Sequence, residues 1–98
     1  RQNQLFLSVA TIWELSIKVN AQKLIIPQPL NKLVERECPI DNIAIVKIEP
    51  IHAMQAGDLT LHHKDPFDRM IITQAIIENL TIVTSDSVFQ KYDVSVLF

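Results

Sequence analysis

An α/β fold with a mostly parallel sheet is what this sequence predicts, and three observations predict it. Short runs rich in β-branched residues stand out, such as Ile43-Ala44-Ile45-Val46 and Leu80-Thr81-Ile82-Val83-Thr84. They alternate with longer stretches whose apolar residues recur at helical spacing, the pattern of strands joined by helical crossovers. Acidic residues stand where helices should begin, as in Asp65-Pro66-Phe67-Asp68 and Ser85-Asp86.

Taken in order, Gln4 to Val9 is a short apolar run that suits a strand buried on both faces. It leads straight into a helix over 10–19. On a helical wheel Val9, Ile12, Trp13 and Ile17 share one face, and Thr11, Glu14 and Lys18 another. Lys23 to Pro29 carries Pro27 and Pro29 and is expected to be an extended connection. Leu30 to Glu37 reads as a helix that stops before Pro39, and Ile43 to Ile48 as a second strand closed by Glu49-Pro50. A helix over 51–59 follows, with the only glycine, Gly57, near its end, so a glycine-rich phosphate loop is absent. After a loop over 61–64 comes the most clearly signalled helix. Asp65 is its N-cap, Pro66 its first residue, Asp68 lies in its first turn, and Ile71, Ile72, Ala75, Ile76 and Leu80 form its apolar face. Leu80 to Thr84 is a strand, Ser85-Asp86 a cap, 88–92 a short helix and Val94 to Phe98 a last strand.

The 98 residues are expected to form a single domain over 1–98. Hydrophobic residues at 48% and charged residues at 20% give an ordinary soluble composition, and the apolar runs are too short for a bilayer. No membrane association is expected, and with no signal-peptide pattern at the start the expected address is cytoplasmic. The one cysteine, Cys38, excludes an internal disulfide and a cysteine metal cluster and is expected to be a buried or half-buried thiol. A formal charge of −2 argues against a generic electrostatic nucleic-acid binder. It leaves room for a nuclease whose acids hold a cation and so present positive charge to phosphate.

In open parallel sheets, helix N-termini that follow strands lie at the C-terminal sheet edge, where ligands bind. Asp65, Asp68 and Asp86 sit at helix starts and Glu14 lies one or two turns inside its helix, so this topology lines carboxylates along one edge. Singly, they have ordinary explanations: Asp65 and Asp86 suit helix caps, and Glu14 has Lys18 as an i+4 partner. As a set they point elsewhere. Carboxylates ~4 Å apart repel by about 4 kcal/mol at an effective dielectric of 20. Such crowding persists when a hard divalent cation neutralises it, and oxygen-only donors suit Mg²⁺ or Mn²⁺. The matching chemistry is metal-activated water attacking a phosphodiester. Asp68 is the strongest candidate, because it shares the face of Ile71, Ile72 and Ala75. His62 and His63 are adjacent and suit a loop better than a metal pair. His52 is expected at the surface, and Trp13 in the core more than stacked on a base.

Ser8 to Lys18 (SVATIWELSIK), His63 to Ala75 (HKDPFDRMIITQA) and Thr84 to Asp86 (TSD) together resemble a PIN domain, most closely the VapC-type toxins of prokaryotic toxin–antitoxin pairs. The resemblance runs over essentially the whole chain. It implies a three-layer α/β/α fold with a mostly parallel central sheet, and a metal-dependent endoribonuclease built on a quartet of acids. Three of the quartet transfer, Glu14, Asp68 and Asp86, which the family implies bind Mg²⁺ or Mn²⁺ and activate the attacking water. Asp65 is a helix cap with an auxiliary part, and Thr84 and Ser85 are auxiliary candidates that orient Asp86 or contact phosphate. The implied partners are an RNA substrate and a cognate VapB-like antitoxin whose C-terminal segment covers the acidic site. One departure stands out: family members open with a strand carrying the first aspartate, in a pattern like LLDTH, which this sequence does not show. The expectation is therefore a PIN-like fold with its N-terminal strand missing, whose bared strand edges favour a homo-oligomer. The alternative is a catalytically impaired PIN remnant acting as a protein-binding or self-associating module. A receiver-like signalling domain is disfavoured, because its N-terminal acidic pair and late lysine have no counterpart here.

Overall fold

The computed structural model describes residues 4–40, 42–59, 65–83, 89, 92 and 96–97. They fall into two units, Arg1–Lys47 and Ile48–Phe98. In the first, β1 (Leu5–Ser8) pairs in parallel with β2 (Ile43–Val46), with Leu5 opposite Ile43 and Ser8 opposite Val46. Parallel neighbours need a crossover, and here it is helical: α1 (Val9–Asn20) and α2 (Leu30–Ile40), of which α2 packs on β2. The sequence expectation of a missing N-terminal strand is corrected, because β1 is formed at this end of the chain and paired along its length.

The abrupt passage from β1 to α1 rests on Ser8. It keeps extended backbone angles while its Oγ accepts the Ala10 N–H at 3.0 Å, so the last strand residue is also the helix N-cap. Two expectations for this unit need correcting. The helix α2 runs through Pro39 instead of stopping before it. Pro39 is the penultimate helical residue, so only one bond near the end of the helix is forfeited, and the chain has left the helix by Asn42, at a φ of 56°. The strand β2 ends at Val46 and not at Ile48. Cys38 is buried, as expected.

The second unit holds α3 (Pro50–Asp58), α4 (Pro66–Glu78), β3 (Ile82–Val83) and β4 (Val96–Leu97). The last two pair in parallel, Ile82 opposite Val96 and Val83 opposite Leu97. All described strand pairing is thus parallel and flanked by helices, the α/β class that the sequence predicts. Ile72, Ala75, Ile82, Phe89 and Tyr92 form the core, with Leu59, Ile71 and Leu80 packed against it. The rest of the expected helix over 88–92 lies outside the described residues, as does the loop over 61–64 with His62 and His63.

A tight turn sends the chain from α4 into β3. Asn79 takes the left-handed conformation (φ 55°, ψ 51°), and its N–H and that of Leu80 both close on the Ala75 carbonyl. Asparagine tolerates this region and alanine does not. Asn79→Ala should therefore cost about 1 kcal/mol, and Asn79→Gly should be within about 0.5 kcal/mol of wild type. Urea unfolding of the pair measures both; equal costs would remove the backbone explanation.

His52 is the clearest departure from the sequence reading. Expected at the surface, it is only 1% exposed. The Glu49 N–H donates to its Nδ1 at 2.9 Å, and a backbone N–H can only donate, so Nδ1 carries no proton. Nε2 therefore holds the ring proton and donates it to Glu78 Oε2 at 3.0 Å. The imidazole satisfies the start of α3 with one nitrogen and joins the end of α4 with the other. A position near a helix start reads as exposed only while the second helix is left out of account.

Candidate active site

Glu14 belongs to the first unit. The face assignment for α1 is reversed in part: Trp13 and Ile17 are exposed, at 58% and 47%, while Glu14 is half-buried. Ala10 marks the buried side of the helix, and Glu14 lies one turn further along the same side. The Glu14 carboxylate is 3.6 Å from Lys18 Nζ, the i+4 pair anticipated from the sequence.

Asp65 and Asp68 belong to the second unit, at the start of α4. The Asp65 Oδ1 accepts the N–H groups of Phe67 at 2.9 Å and Asp68 at 3.2 Å, so Asp65 is the N-cap the sequence predicts. Pro66 follows, where its missing N–H costs nothing. Asp68 comes next in the first turn, half-buried, on the face that carries the buried Ile72 and Ala75 one and two turns on. Helix α4 also departs from the expected strand-to-helix order. Its start follows α3 and not a strand; the Asn79 turn, not a strand-to-helix connection, sets its relation to β3. Thr84, Ser85 and Asp86 lie outside the described residues.

Among the described residues no group of three or more His, Cys, Asp or Glu side chains converges to hold a metal ion. The donor chemistry of the motif acids does fit a hard divalent cation, since all are carboxylates. What the described part of the second unit provides is one half-buried carboxylate, Asp68, beside a second, Asp65, whose Oδ1 already serves the backbone.

Sequence reasoning gave no part to Arg69, although it stands inside the quoted HKDPFDRMIITQA segment. Its Nη2 donates to the carbonyls of Ala56 and Leu59, each at 2.8 Å. An arginine one residue past an acidic helix start was visible in the sequence, but carbonyl partners on another helix were not.

These features define an α/β protein with parallel strands and an acid-rich helix start. The sequence profile of the PIN domain matches residues 1–95, nearly the whole chain, and the chain belongs to that family. No curated protein and no solved structure matches it. Among the described residues no helix is long and apolar enough to cross a membrane.

Proposed function

We propose that this PIN domain is a metal-dependent endoribonuclease, the toxin of a VapBC-like toxin–antitoxin pair, hydrolysing RNA phosphodiesters. The observation that carries the reading is Asp68. The capping of α4 is already supplied by Asp65, so a second, half-buried acid in the same turn is not required by the helix end. Family membership over residues 1–95 supports a nuclease of this class.

By motif, the acids that hold Mg²⁺ or Mn²⁺ are Glu14, Asp68 and Asp86, with Asp65, Thr84 and Ser85 assisting. A bound divalent ion supplies an activated water and neutralises charge on the phosphate. Chain length is compatible with Asp86 taking part. From Leu80 to Asp86 an extended chain spans about 20 Å, against about 15 Å of helix from Asp68 to Glu78, which is reach enough to return level with Asp68. The proposed partners are an RNA substrate, a VapB-like antitoxin and a second copy of the chain.

The test is incubation of the full chain with mixed RNA in Mn²⁺, with and without excess EDTA. Cleavage that needs Mn²⁺ and stops with the chelator is the expected result. RNA left intact in both, or cut equally in both, overturns the assignment. One observation favours the second reading, a non-catalytic binding module: Trp13 and Ile17 stand exposed one turn apart on α1. That reading gains if RNA stays intact while the chain still self-associates or binds a partner.

A further inference from the structure

Arg69 is held at its backbone and at its side chain. Its N–H donates to the Asp65 carbonyl at 3.0 Å, and its own carbonyl accepts the Thr73 hydroxyl at 2.8 Å. Its guanidinium meets Ala56, in the last turn of α3, and Leu59, just beyond that helix. Carbonyls at a helix end have no partner within the helix and carry the negative end of its dipole, so a cation suits them. The α3 C-terminus and the α4 N-terminus are thus joined through the residue next to Asp68.

We propose that Arg69 is a positioning residue for the acidic start of α4. By anchoring on the end of α3 it fixes the first turn of α4, and with it the direction of the Asp68 carboxylate. The inference rests on the metal-site reading of Asp68 for its consequence, but not for its geometry. An internal control is built into the same helix pair. His52 and Glu78 tie the opposite ends of α3 and α4, about 14 Å along the helix from Arg69. Loss of either tie should loosen the pair. Only the loss of Arg69 should disturb the acidic turn.

The experiment compares the full chain with R69M, R69K and H52Q by two readouts, each under conditions where the variant is folded. The first is hydrogen exchange at the Phe67 and Asp68 amides, which donate to Asp65. The second is Mn²⁺ affinity, read from the paramagnetic resonance of the free ion. For R69M, exchange at both amides should rise by about tenfold and Mn²⁺ binding should weaken by about tenfold, the scale of a lost charge-assisted hydrogen bond. R69K keeps the cation without the planar fork and should recover part of both, and it carries the test where R69M does not fold. H52Q should leave both readouts within about twofold of wild type while lowering the unfolding midpoint. Wild-type exchange at the two amides in R69M, or the same change in H52Q, overturns the positioning role. A wild-type chain that binds no Mn²⁺ overturns the metal reading instead, and amide exchange still decides Arg69.

Discussion

Asp68→Asn is expected to lower RNA cleavage by about 10²-fold or more with little loss of stability. The substitution keeps shape and removes only the charge. If Asp68 helps hold the ion, several kcal/mol of charge stabilisation go with it, and each 1.4 kcal/mol is about a factor of ten in rate. The fold loses far less. Asp65 supplies the cap through its own Oδ1, so the cap survives the change, and loss of the acid's interaction with the helix dipole costs about 0.3–1 kcal/mol. Initial cleavage rates and urea midpoints on the same preparations separate the two effects. A variant that cuts RNA at the wild-type rate would take Asp68 out of the site, and a variant that is slow only because it is unfolded would show it in the midpoint.

The largest effect on stability is expected from Ile72→Ala, a loss of about 2–5 kcal/mol. Ile72 is 0% exposed and lies in the cluster of Ala75, Ile82, Phe89 and Tyr92, so the removed methyl groups leave a cavity lined by side chains from several segments. Against a total of about 5–15 kcal/mol for a domain of this size, that is a large share. Ile76, one turn further on, is 42% exposed, and its alanine variant should cost under about 1.5 kcal/mol. Denaturant unfolding of the two variants checks the pair. Equal losses would mean that the buried face of α4 is not the one described.

Local signals carried furthest in the sequence. The cap, proline and first-turn acid of α4 each depend on neighbours within three residues, and all are found where the chain chemistry placed them. The β-branched runs gave the strands and the alternation gave parallel pairing. What failed depended on partners far along the chain. His52 is buried, and its second nitrogen meets Glu78, 26 residues away. Arg69 gains its role from carbonyls on another helix. The buried side of α1 is the one that carries Ala10, whereas hydrophobic periodicity gave more weight to Trp13, which is exposed. Pro39 was read as a stop, but α2 runs through it to Ile40, because a helix tolerates proline in its final turn, where one bond near the end is forfeited. The candidate site was legible as a list of acids at helix starts. Bringing acids from distant segments together is not something that motif spacing encodes.

The exposed indole of Trp13 and the buried ring of Tyr92 also have an optical consequence. They are the only tryptophan and the only tyrosine of the chain, and each unit holds one of them. Each half of the protein therefore carries its own chromophore. Indole emission follows the first unit from an already hydrated environment, so its shift on unfolding is small, and phenol absorbance follows the second from an apolar one. Superimposable melting curves from the two rings would make the chain a single cooperative system, and displaced curves would make it two.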